Sequence, residues 1–170
     1  LDLTYYRKGE WIAGAKKWEK FEQPVLCPNE DLNRNGVSEV YSNGGVEDAN
    51  DSYNKPVGRP ALDPPKAVAT VSFEGAASTN AVGQVVIRLE YPKSYGGWVD
   101  FNLIVAAAGV AGTEGRANYT GLLPVAAADV TSVDVEPAFR LSPFGLESSG
   151  FIAVTVPGES VPTLLCTNKN

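Results

Sequence analysis

The chain has no histidine and no methionine among its 170 residues, and only two cysteines. Without His it lacks the side chain most used for proton transfer near neutral pH and for holding transition metals, which removes most hydrolase and zinc chemistry. Without Met it has no native start residue, so Leu1 is expected to follow a cleavage or to belong to a longer polypeptide, as in a processed, exported fragment or a trimmed chain. Long apolar runs are missing too, and with them any expectation of direct membrane insertion through a spanning helix. Positive charge is scarce: 14 Lys and Arg stand against 20 Asp and Glu, a net charge of -6. That balance argues against nucleic acid as a partner, because such binders cluster Lys and Arg to displace counterions from phosphates. It suits divalent cations.

What is present is globular: 44% hydrophobic and 20% charged residues, enough for one domain with an appendage. Cys27 and Cys166 lie near opposite ends and read as one staple, the plain alternative being two unrelated buried thiols. There is no CxxC, so neither a redox motif nor a zinc ribbon is indicated.

Three zones follow along the chain. Residues 1–24 mix aromatic and basic side chains (Tyr5-Tyr6-Arg7-Lys8, Trp11, Lys16-Lys17-Trp18) and predict an amino-terminal arm of one or two strands at a sheet edge. Such an arm could add to the sheet of a neighbouring subunit. Residues 25–65 are rich in Asn, Asp, Gly and Pro and poor in apolar side chains, so something other than hydrophobic burial must order them. From residue 66 onward, short strands separated by turn residues predict an antiparallel β-sandwich. Val85, Ile87, Leu89 and Tyr91 alternate with Arg88 and Glu90, and Val99, Phe101, Leu103, Val105 and Ala107 alternate with Asp100 and Asn102. With Pro92 and Gly96-Gly97 between them, these two runs are expected to pair as a hairpin. Val68–Phe73, Arg116–Leu122, Val130–Val135 and Phe151–Val156 are further strand candidates. The Ala106–Ala108 cluster continues a strand pattern, and Ala126–Ala128 predicts a loop or one helical turn.

The acidic zone carries the chemistry. Asp31, Asn33 and Asn35 place oxygens at alternate positions before Gly36, and Val37 then offers a carbonyl, which is the first half of an EF-hand-type calcium loop. Calcium needs six to eight oxygens, and a tightly wound loop points such alternating groups inward. The glutamate expected at the twelfth position is replaced by Ser42, so Glu39 or the later run Glu47, Asp48, Asn50, Ser52 and Asn54 must complete the site or bind a second ion. The same residues would otherwise make turns through Asx hydrogen bonds.

The run from Cys27 to Gly36, the Glu47-Asp48 run, the strand Val85 to Tyr91 with Pro92-Lys93-Ser94-Tyr95, the stretch Gly112-Thr113-Glu114-Gly115, and Pro137 to Gly145 together resemble bacterial Ig-like repeat proteins of the invasin and intimin type. The resemblance spans about Cys27 to Cys166. It implies an immunoglobulin-like, all-β sandwich over residues 66–170, an extracellular or cell-surface setting, and a structural or adhesive role in a surface or filament protein stiffened by calcium. Its implied partners are neighbouring domains or subunits, or a host or glycan ligand.

An enzyme would need a nucleophile with its base, or two carboxylates across a substrate. Glu74, Glu90, Asp100, Glu114, Asp129, Asp134 and Glu136 are available, but each falls at a predicted strand edge or turn where a solvated charge is ordinary, so no enzyme is expected. The rival reading is a carbohydrate-binding module with a structural calcium, for which Tyr95, Trp98 and Tyr119 are the aromatic candidates. Asn50 and Asn118 begin glycosylation sequons.

Overall fold

The computed structural model describes residues 1–34, 36, 38, 62–107, 115–146, 151–154 and 160–166. Within them the chain is all-β and antiparallel. The strands are β1 (Asp2–Ala13), β2 (Trp18–Pro28), β3 (Thr70–Phe73), β4 (Ile87–Glu90), β5 (Val99–Ala107), β6 (Gly115–Leu122), β7 (Phe151–Val154) and β8 (Thr163–Cys166). They form a four-stranded sheet of order β2-β1-β5-β6 and two ribbons, β3-β4 and β7-β8.

Alternation builds the core. Val99 and Phe101 of β5 are buried while Asp100 and Asn102 face the other side, as the period of two requires. Leu3 and Tyr6 of β1, Val68, Trp98, Leu123, Phe144 and the two cysteines join them, with Leu89 of β4 packed against the cluster. The sheet and both ribbons therefore share one core, the packing of a β-sandwich. Tyr6 and Phe144 meet with ring centroids 4.8 Å apart, and Trp11 stands edge-on to Trp98 at 6.2 Å.

The amino-terminal segment is built into the sheet rather than standing off as an arm: β2, most of which it includes, is the outer strand of the four-stranded sheet, and β1 lies inside it. β1 is an inner strand, paired with β2 along most of its length and with β5 from Asp2 to Tyr6. Beyond β5 it meets another segment: Gly9 N–H donates to Gly145 O, Ser142 N–H to Gly9 O, and Trp11 N–H to Arg140 O. Described residues thus engage β1 on both sides, and the outer strand on its flank is β2. Its register breaks between Arg7 and Gly9, where Gly9 has φ 144°, a conformation side chains disfavour. On the other side of the sheet, Arg7 reaches Glu22 at 2.8 Å and Asp100 at 2.7 Å, and Lys20 pairs with Glu22. Burial alone would raise the Glu22 carboxyl, but hydrogen bonds from Lys20 and Arg7 hold it below the usual range.

Two sequence expectations fail for local reasons. β4 and β5 do not form a hairpin: β4 pairs with β3, and β5 with β1 and β6. Pro92 leads into a 3-10 turn over Lys93–Tyr95, after which Gly97 N–H bonds Leu123 O and Trp98 enters the core. This turn carries the chain from ribbon to sheet rather than reversing it on one layer. Val130–Val135 is not a strand either; its carbonyls serve Trp18 instead, Val130 O accepting the backbone N–H and Val135 O the indole N–H. The strand expected at Val68–Phe73 appears as β3 from Thr70, with Val68 ending a 3-10 turn. Arg116–Leu122 appears in β6, Phe151–Val154 of the expected Phe151–Val156 forms β7 with residues 155–156 outside the described residues, and a 3-10 turn forms over Ala127–Asp129.

Candidate functional site

The acidic loop leaves the sheet directly after a fixed point. Cys27, next to the end of β2, is disulfide-bonded to Cys166, at the end of β8, with Cα atoms 5.7 Å apart. Asn29 then ties the chain back to β1: its backbone N–H donates to Thr4 O at 2.9 Å and its side-chain amide N–H to Leu3 O. Its Oδ1 accepts the Asp31 N–H at 2.8 Å, an Asx turn that orients the next two carboxylates.

Glu30 is fully buried and acts as a hub. Oε2 accepts the Ser38 hydroxyl at 2.9 Å and the Asp63 N–H at 3.4 Å, Oε1 accepts the Tyr6 hydroxyl at 3.5 Å, and the Glu30 N–H donates to Asp63 O at 3.1 Å. One side chain thus gathers both ends of the loop onto β1. A buried carboxylate is tolerated only when its lone pairs are filled in this way.

Asp31 is also buried, with 4% of its surface exposed. Oδ2 accepts the Gly36 N–H at 2.9 Å, which winds the loop tightly, and Gly36 has φ 91° as its place in the motif demands. Oδ1 is buried with no hydrogen-bond partner among the described residues. An orphaned carboxylate oxygen of this kind needs a proton, a water or a cation. Arg34, itself in the left-handed region at φ 62°, donates to the Asp31 carbonyl and pairs with Asp2, Nε to Oδ1 at 2.7 Å and Nη2 to Oδ2 at 3.1 Å.

Comparison with protein-family models, with curated proteins and with solved structures finds no match to this chain.

Of the proposed calcium ligands, Asp31 is buried at the head of the loop and Asn33 is exposed. Asn35, Val37, Glu39, Glu47, Asp48, Asn50, Ser52 and Asn54 lie outside the described residues. Among the described residues no group of three or more His, Cys, Asp or Glu comes together. Among the described residues the loop offers one buried carboxylate oxygen without a hydrogen-bond partner, Asp31 Oδ1.

The aromatic candidates do not share an open face. Trp98 is wholly buried in the core, and its ring is closed to any ligand. Tyr95 is half-buried against Phe144 at 5.8 Å; Tyr119 is 63% exposed and leans on Phe101 at 5.8 Å. Sequence reasoning missed Glu30, Tyr6, Ser38 and Asp63, since beside Asp31 a glutamate looks like one more solvated charge and only the tertiary contacts separate them.

Proposed function

We propose that this chain is a non-enzymatic, immunoglobulin-like structural or adhesive module of an exported bacterial surface or filament protein, stiffened at its loop end by calcium and by the Cys27–Cys166 disulfide. The observation that carries the reading is the Asp31 carboxylate: one oxygen winds the loop through Gly36, and the other is buried without a partner among the described residues. A calcium ion there would supply that oxygen with a counter-charge, and Asp31 with the alternating oxygens behind it would hold the ion. The disulfide fits an oxidising, extracellular compartment. The sequence resemblance to Ig-like repeats supports neighbouring domains or subunits of the same polypeptide as partners.

Thermal unfolding with and without calcium tests the proposal. A ligand that binds only the folded chain stabilises it by about 2.7 kcal/mol when present at about one hundred times its Kd. For a chain of this length that raises Tm by about 8 °C. Asp31→Asn should abolish the response to calcium. Superimposable melting curves in calcium and in excess chelator would overturn the calcium reading.

A further inference from the structure

Between β1 and the turn after β4, a concave cavity of about 240 Å³ opens between Trp11, Tyr91, Pro124 and Phe139, with Lys93 and Asp129 also lining it. Its walls are held in place. The Tyr91 hydroxyl donates to Pro124 O at 2.7 Å, and Trp11 is braced edge-on by the buried ring of Trp98. Lys93 Nζ spans the Asp129 carboxylate at 3.0 and 3.2 Å, with 64% of the Lys93 side chain and 31% of the Asp129 side chain exposed. That ion pair is open to water and free to exchange partners at little cost.

We infer that this cavity binds a single neutral saccharide ring, an inference that stands apart from the cation-loop reading. A pyranose has one apolar C–H face and an edge of hydroxyls that both donate and accept. The cavity offers the complement, three aromatic rings in its wall and, beside them, one strong acceptor and one strong donor. Size narrows the choice, since drug-sized ligands occupy roughly 300–1,000 Å³ and this space is smaller. A proline-rich peptide would need a groove longer than a space of this size. A nucleotide would bring phosphates toward a chain of net charge -6. Because Tyr91 and Trp11 are held before binding, little ordering of those two rings opposes association.

The test is an NMR titration of the full chain with four methyl glycosides, of glucose, galactose, mannose and N-acetylglucosamine. The expected result is saturable shifts at the Trp11 indole N–H and the Asp129 amide for at least one of them, with Kd on the order of 1 mM. Asp129→Asn, which keeps the shape and removes the charge, should weaken binding about tenfold. Trp11→Ala should abolish it, and an unchanged spectrum elsewhere shows that the variant is folded. No saturable shift with any of the four, shifts centred on Tyr119 instead, or equal affinity in Asp129→Asn would each overturn the inference. A proline-rich peptide that fills the cavity where the sugars do not would overturn it as well.

Discussion

Replacing both cysteines, Cys27→Ala with Cys166→Ala, should destabilise this chain more than any surface change, and the size of the loss follows from the topology. The bridge closes a loop with a sequence separation of 139, nearly the whole chain. Loop-closure entropy for a loop of that length restricts the unfolded state by about 5 kcal/mol at room temperature. The unfolding entropy of 170 residues is about 0.36 kcal/mol per kelvin, so Tm should fall by about 14 °C. Both sulfurs are buried in the core, so lost packing adds to the effect in the same direction. Urea unfolding separates the two contributions. A denatured chain freed of its cross-link expands and exposes more surface, so the m-value should rise, whereas a packing defect alone leaves it unchanged. A Tm loss below about 5 °C with an unaltered m-value would refute the idea that the bridge works by constraining the unfolded chain.

Glu30→Gln keeps the side-chain shape but replaces one acceptor oxygen with a donor that faces the Ser38 hydroxyl and Asp63 N–H, or else the Tyr6 hydroxyl. It should cost about 3 kcal/mol in urea unfolding and speed protease cleavage within the acidic loop; an unchanged cleavage rate would remove Glu30 from its role as hub. Gly9→Ala places a Cβ against the Phe21 carbonyl oxygen and 2.9 Å from Glu22 Cα, at φ 144°. Since backbone atoms of β2 cannot step aside, the variant should lose at least about 2 kcal/mol of stability, measured by thermal melting, and wild-type stability would show that the bulge relaxes freely.

Strand content was legible wherever apolar alternation was clean, as in Val99 to Ala107, because the period of two is a local property of the sequence. Pairing was not. The choice of β3 rather than β5 as the partner of β4 rests on where Trp98 is buried and on the 3-10 turn at Lys93–Tyr95, and neither is written in alternation. Val133 and Val135 alternate with Asp134 as a strand would, yet among the described residues they join no ladder, and the segment satisfies Trp18 at the start of β2 instead. At the loop, the tight winding at Gly36 could be anticipated because a left-handed turn calls for glycine. The division of labour between Glu30 and Asp31 could not.

That division has a physical logic. Glu30 points toward β1, where fixed donors from Tyr6, Ser38 and Asp63 surround it, so its charge is spent on joining the loop ends. Asp31, one residue on, turns toward the wound part of the loop and keeps an oxygen in reserve. Arg34 lies in the same loop and would repel a cation bound at Asp31, but Asp2 engages its guanidinium at two points and offsets that charge. The pair is about two-fifths exposed on each side, so it contributes little stability of its own. Its consequence is electrostatic and positional: β1, through Asp2, fixes where the positive charge beside Asp31 sits.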